Sequence, residues 1–222
     1  MAESPIEKQA RRVYNFKQRE AKILASALKL FLQQGEDKVT VEMIAEQVGI
    51  GKGTIYKHFS TKSEIYLRLM LDYEREMADI FSRPEISIDK EALSKAYFEF
   101  RMRHPDKYML FARLEDKLAK IKLTSKLLAS LLEELHQIRA QNLNSVASLI
   151  TARVDEGLLE EVPAYFHYCA AWAFVHGAAV LYQSDFFQTV IEDKQEFFNF
   201  MMEIGVRLGN RGQRGKKAGS DA

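Results

Sequence analysis

A single cysteine, Cys169, rules out a disulfide within the chain, so a reducing cytoplasm is the expected compartment. Residues Met1 to Arg12 are polar and charged and lack the apolar core of a secretion signal. Only four prolines and eleven glycines interrupt the 222 residues. The long stretches between them show helical spacing, with no strand-like alternation and no internal repeat. The formal net charge of +1 excludes a polycation, but the charge is unevenly placed. Residues 1–66 hold eleven Lys/Arg against eight Asp/Glu, residues 67–206 sixteen against twenty-two, and residues 207–222 five against one. A basic head, an acidic body and a basic tail fit a molecule of which only part meets a polyanion.

One stretch lacks charge altogether. Residues 162–184 contain no Asp, Glu, Lys or Arg, and that length allows either a bilayer span or a helix buried in protein. Pro163, His167, His176, Gln183, three tyrosines and several alanines favour the buried helix. Enzymatic chemistry is equally sparse. Along one helix Cys169 and His176 lie about 10 Å apart at 1.5 Å per residue, too far to share a metal. His167 and His176 fall on opposite sides of it. The pairs Glu133-Glu134 and Glu160-Glu161 are neighbours whose side chains diverge, and no phosphate-cradling glycine loop or nucleophile elbow is present. No catalytic residue, metal ligand or cofactor is assigned.

What is there is helix. With 47% hydrophobic and 28% charged residues the chain has ample material for a core. Residues 1–17 read as a flexible basic arm. A first helix spans Gln18 to Gln34, with Ile23, Leu24, Ala27, Leu28 and Phe31 on one stripe and Gly35 ending it. Thr40 caps a short helix from Val41 to Val48, and Gly49 ends it. Gly51 to Phe59 forms a third. Thr61-Lys62-Ser63-Glu64 is a capping box opening a fourth helix to about Phe81. Further helices are expected at 90–103, 106–118, from Thr124 or Ser125 to Glu156, from Pro163 to about Gln183, and at 192–208, with a loop around Asp185-Phe186-Phe187. Residues 209–222 read as a disordered basic tail.

The densest signal runs from Val41 to Tyr56. Two short helices meeting steeply need a small residue where their backbones approach, and Ala45 supplies it. The turn needs a residue tolerant of positive φ, and Gly49 supplies that. Ile44, Val48, Ile50 and Ile55 are spaced to fill the core between them. With its flanks, Thr40-Val-x-x-Ile-Ala, then Val48-Gly-Ile-Gly-Lys-Gly-Thr-Ile-Tyr-Lys-His-Phe59, then Lys62-Ser-Glu-Ile65, this segment resembles the DNA-binding domain of the TetR family of repressors. The sequence resemblance covers about residues 18–66; beyond them it lies in helix lengths and breaks.

The resemblance implies an all-α chain with an N-terminal three-helix helix-turn-helix DNA-binding domain (18–66) and a six-helix ligand-binding and dimerisation domain (67–208). Gly51 and Gly53 strip side chains from the start of the recognition helix, so its backbone can approach a major groove. Lys52 can reach a guanine edge or a phosphate, and Thr54 a base or thymine methyl. By family resemblance Tyr56, Lys57 and His58 join the DNA-contacting set, with Thr40 and Lys62 gripping phosphates at helix N-termini. Arg11, Arg12 and Lys17 fit either a minor-groove arm or a solvated tail; the tail bearing Arg211, Arg214, Lys216 and Lys217 reads as solvated.

Double-stranded palindromic DNA, a second copy of the chain and a small-molecule effector are the implied partners. The last two helices supply the twofold, with Gly177, Ala178 and Ala179 allowing close approach and Phe197, Phe200, Met201, Ile204 and Leu208 forming the facing stripe. The effector is expected to be lipophilic, in a cleft whose residues include Tyr97, Phe100, His104, Phe111, Asn142, Trp172 and His176; Tyr108, Tyr168, Phe174 and Gln137 belong to the same set. Arg101, Arg103 and Arg139 fit either an acidic head group or a solvated helix face. Ligand release or ligand promotion of DNA binding are both open. An enzyme and a helical adaptor without DNA binding are the rival readings; the adaptor leaves the Lys52–Lys62 pattern unexplained.

Overall fold

The computed structural model describes residues 4–89, 91–208 and 210. They form the helices α1 (Pro5–Gln34), α2 (Val41–Val48), α3 (Lys52–Ile55), α4 (Lys62–Phe81), α5 (Pro84–Ile88), α6 (Ala92–Met102), α7 (Pro105–Leu118), α8 (Lys126–Asp155), α9 (Ala164–Gln183), α10 (Asp185–Gln188) and α11 (Lys194–Arg207). No strand occurs among the described residues; one isolated antiparallel bridge joins Leu159 and Asn210. No helix among them is long and apolar enough to cross a membrane. The expected tail lies outside the described residues except for Asn210, as does Lys90.

The chain divides into two compact units, residues 1–75 with 109–138 and residues 76–108 with 139–222. In the first, Ile23, Ala27 and Phe31 of α1 are buried, as are Ile44 and Ala45 of α2 and Ile55 of α3. Each large apolar side chain so enclosed contributes about 1.5–3 kcal/mol. The ring of Tyr73 lies 4.9 Å from that of Phe111. Lys117 pairs with Glu36 and, at 2.5 Å, with Asp37.

In the second unit Ile86, Leu93, Val146 and Ile150 form a buried cluster on which Phe81, Leu159 and Tyr168 pack. Phe98 sits 5.3 Å from Phe198 and 6.1 Å from Phe174, ring centre to ring centre. Gly205 brings α11 in close: a Cβ there would lie 3.1 Å from Phe174 and 3.6 Å from Phe98.

Three expectations are corrected by the structure. The flexible arm of residues 1–17 is, from Pro5 onward, the first part of α1. The cause is local. Ser4 accepts the Glu7 amide at 3.2 Å and donates its own N–H to the Glu7 carboxylate at 2.8 Å, and Pro5 occupies the first helical position. Secondly, Arg83-Pro84 does more than break a helix. Proline at N1 starts the five-residue α5, and the loop around Asp185 carries the single-turn α10. After α3, the helices of eight residues or more are α4, α6, α7, α8, α9 and α11.

Candidate nucleic-acid interface and ligand cavity

Thr40 Oγ1 accepts the Met43 amide at 3.3 Å and so starts α2. Gly49 stops it in the left-handed region at φ 75°, ψ 35°. The Ile50 amide then reaches back to the Ala45 carbonyl at 3.0 Å, which sets the angle at which the chain enters α3. The expected Gly51–Phe59 helix is regular only over Lys52–Ile55; tight turns carry it on, with the amide of His58 donating to the Ile55 carbonyl at 2.8 Å. Ile55 and Phe59 face inward and are buried. Gly51, Lys52, Gly53, Tyr56 and Lys57 are exposed and Thr54 is half-buried.

Gly51 and Gly53 are there for neither backbone nor packing reasons. Among the described residues only Gly35, Gly49 and Gly157 have positive φ, and a Cβ at Gly51 or Gly53 would meet nothing within 4 Å. Glycine in a helix costs about 0.5–1 kcal/mol relative to alanine. A bare patch that the fold does not require suits the close approach of an external surface.

Lys52 forms an exposed ion pair with Glu42. The pairing raises the lysine pKa and lowers that of the carboxylate. The Lys52 ammonium also lies 5.6 Å from the centre of the Tyr56 ring.

The structure corrects the placing of two expected contacts. His58 is buried rather than presented outward. Its ring stacks on Phe16 of α1 at 3.9 Å and 27°, and Nδ1 lies 4.0 Å from the Glu20 carboxylate. Burial pushes its pKa down, outweighing the nearby Glu20 carboxylate, and Arg19 pushes the same way as burial. Because α1 begins at Pro5, Phe16 lies on a helix that covers the imidazole.

Lys62 turns inward too. Its ammonium donates to the carbonyls of Glu36 at 2.6 Å and Val39 at 3.1 Å, and burial lowers its pKa. It clasps the connection between α1 and α2. The capping box opening α4 is shared more widely than expected: the Thr61 hydroxyl takes the Glu64 amide at 3.2 Å, while the Glu64 carboxylate takes the Ser60 amide and the Ser125 hydroxyl.

Within the second unit a cavity of about 340 Å³ opens between helices. Its walls include Leu93, Val146, Ile150, Leu159 and Val206, and its polar residues include Tyr97, Arg153 and His167. Of the seven expected ligand residues only Tyr97 lines it; Tyr168, from the wider aromatic set, lines it as well. Phe100 is buried, with the Arg101 guanidinium 5.7 Å from its ring centre. Asn142 is also buried and His104 is exposed. Phe111 belongs to the first unit, against Tyr73. Trp172 and His176 stack on each other at 5.0 Å, and the His176 Nδ1 lies 3.3 Å from the Tyr108 hydroxyl.

Nothing local singles out Arg153 as a cavity residue, although Val146, Ile150 and Arg153 recur at helical spacing and so share a face of α8. His167, which the sequence reading places on the uncharged helix without a role, lines the cavity, and its Nε2 donates to the Glu160 carbonyl at 2.9 Å.

Comparisons with known proteins bear on the family and the fold. The family described as bacterial regulatory proteins, tetR family, matches residues 23–69. The family described as tetracyclin repressor-like, C-terminal domain, matches residues 91–204, about half of the chain. An uncharacterised HTH-type transcriptional regulator of Bacillus subtilis, YhgD, is 34% identical over 88 residues, 37% of this chain and 46% of that protein. The biofilm operon icaADBC HTH-type negative transcriptional regulator IcaR of Staphylococcus aureus is 30% identical over 91 residues, 40% of this chain and 48% of that protein. The matched region thus spans about half the length of these curated relatives.

A tetR-family bacterial regulatory protein from Rhodococcus RHA1 superposes with a TM-score of 0.65 at 16% identity, over 86% of this chain and 96% of that one. A tetR-family regulator from Shewanella superposes with a TM-score of 0.59 at 22% identity, over 87% and 98%. The chain therefore belongs to the TetR family, whose members are DNA-binding transcriptional regulators rather than enzymes.

Proposed function

We propose that this protein is a cytoplasmic one-component repressor that binds a palindromic operator as a homodimer and is released by a lipophilic small molecule held in the cavity of its second unit. The observation that carries the DNA half of the reading is the bare start of α3. Gly51 and Gly53 are exposed and unneeded by the fold, between the caps of α2 and the outward Lys52, Thr54, Tyr56 and Lys57. Base preference belongs to Lys52 and Thr54, and phosphate contacts to Thr40, Tyr56 and Lys57. Lys62 and His58 hold the scaffold from inside.

The dimer half rests on α9 and α11. Phe166, Ala170, Ala173, Gly177 and Val180 recur at helical spacing along α9 and are all exposed in the single chain, on a helix without one charged residue. Phe200 and Ile204 of α11 are exposed as well. A second copy of the chain covers these stripes and places two α3 helices one turn of DNA apart. Ala178 and Ala179 face the protein's own core instead. The cavity volume lies at the lower end of the ~300–1,000 Å³ typical of small-molecule sites. Emptying an operator from 99:1 to 1:99 takes about 5.5 kcal/mol of differential ligand affinity, which an enclosed apolar site can supply.

A mobility-shift series with the protein's own upstream region tests the reading. A sequence-preferring complex whose affinity falls steeply with salt is expected. Tyr56→Ala should weaken binding to all sequences alike. Binding without sequence preference at low salt would favour a helical adaptor.

A further inference from the structure

The cavity of the second unit is apolar along most of its wall; its charged residues are Arg153 and Glu91, and the Glu91 carboxylate is already paired with Lys95 at 2.7 Å. Val146 and Ile150 put aliphatic side chains on a face of α8, and Arg153, on the same face, also borders the space. The Nη2 group of Arg153 donates to two carbonyl oxygens, Ile86 at 3.3 Å and Asp89 at 3.0 Å. These lie at the C-terminal end of α5, where the helix dipole favours a cation. The same hydrogen bonds fix the guanidinium in place. Its Nη1 is buried and has no hydrogen-bond partner.

Tyr97 borders the same cavity, and its buried hydroxyl, with the Arg101 guanidinium close by, makes no hydrogen bond of ordinary geometry. An arginine nitrogen can only donate, and a tyrosine hydroxyl readily does so. Orphaned donors of this kind are rare in native interiors and call for an acceptor. Burial also works against the charge on Arg153, with Glu156 and Asp89 opposing it from a distance.

We infer that the cavity binds a small apolar monocarboxylic acid, its carboxylate received by Arg153 with help from Tyr97 and its hydrocarbon part lying among Leu93, Val146, Ile150 and Val206. This deepens, and rests on, the reading of the protein as a ligand-responsive regulator. A carboxylate is acceptor-only and singly charged, so it satisfies both donors and neutralises the guanidinium in one step. An alkylammonium would bring a second cation to Arg153. A neutral alcohol would add no charge to that which Glu156 and Asp89 already set against the guanidinium.

Octanoate, 1-octanol and octylammonium of equal chain length, titrated calorimetrically into the full-length protein, test this. Octanoate should bind roughly tenfold or more tighter than 1-octanol, because it adds a charge-assisted hydrogen bond, and octylammonium weakest. Arg153→Gln should erase the preference for the acid while leaving 1-octanol binding nearly unchanged. Arg153→Lys should retain part of the preference, and Tyr97→Phe should weaken octanoate alone by a few-fold.

Far-UV circular dichroism shows which variants are folded, and the three-ligand comparison on the natural protein stands whatever they do. Equal affinity for acid and alcohol, no binding by any of the three, or an acid preference that survives in folded Arg153→Gln overturns the inference. A mobility-shift arm separates it from the broader reading. Octanoate that binds as described without moving operator occupancy upholds the site and defeats ligand release. A neutral lipophile that empties the operator while octanoate fails to bind does the reverse.

Discussion

Gly53 is exposed, has an ordinary backbone conformation and touches nothing that a methyl group would disturb. At such a position Gly→Ala stabilises by about 0.4–1 kcal/mol, chiefly by restricting the unfolded chain. Gly53→Ala should therefore raise the denaturation midpoint and weaken operator binding at once. A variant that is more stable and binds DNA as before would remove the reason given for the glycine. His58 sets a second test. Its folded pKa lies below its ordinary value of 6.5 because burial disfavours the imidazolium. The unfolded chain therefore takes up the proton first. His58 costs no stability above that value, and stability falls as pH drops from about 6.5 toward the depressed folded value. Melting temperatures across pH 7.5 to 5 should decline less in His58→Gln than in the natural protein.

At this scale the sequence was legible where a residue's role is local. Thr40 as a cap and Gly49 at positive φ follow from neighbours in the chain. The inward placing of His58 and Lys62 is not legible locally because their partners, Phe16 and the carbonyls of Glu36 and Val39, come from elsewhere in the sequence. Arg153 is hidden for a related reason. A cation in the last turn of a helix normally needs no further explanation, and only the cavity beside it asks for one.

Among the elements, helix spans followed closely from glycine, proline and capping residues, since these act within one turn. The beginning of α1 did not. Its opening residues are rich in charge, and the apolar ones that recur at helical spacing, Ile6, Ala10, Val13 and Tyr14, are all exposed, so the stretch reads as a solvated arm. Ser4-Pro5 and Glu7 were the available signal. The approach of α11 to α6 and α9 is set by the missing side chain of Gly205. Gly205→Val should cost about 1–3 kcal/mol by overpacking against Phe174 and Phe98. Urea denaturation measures it; an unchanged midpoint would mean that the rings step aside freely.

For the whole molecule, the family and the all-helical architecture could be read from the segment between Thr40 and Ile65 with the spacing of later breaks. The cavity's lining could not. It is assembled from the end of α4, from α6, α8, α9 and α11, and from the segments that precede or follow them, and no local pattern states which faces leave space. The exposed stripe of α9 makes a prediction at this scale. Ala173→Glu places a charge in the middle of the proposed twofold contact and should yield monomers in sedimentation velocity. Operator affinity should fall steeply, because two half-sites are then bound independently. A dimer that persists would show that the contact lies elsewhere.

The pairing of Lys52 with Glu42 carries a consequence for how salt acts on this protein. In the absence of DNA the lysine already has an anion, so meeting a phosphate is a change of partner, and the abandoned carboxylate recruits a cation from solution. The sodium or potassium ion shed by the duplex at that contact is thereby balanced by one taken up at the protein. Each phosphate neutralised by a free cation steepens the dependence of log affinity on log salt by about 0.9. Lys52 should add almost nothing to that slope in the natural protein and nearly its full share in Glu42→Gln, so the variant should grip DNA harder in dilute buffer and lose that advantage as the buffer is made more concentrated.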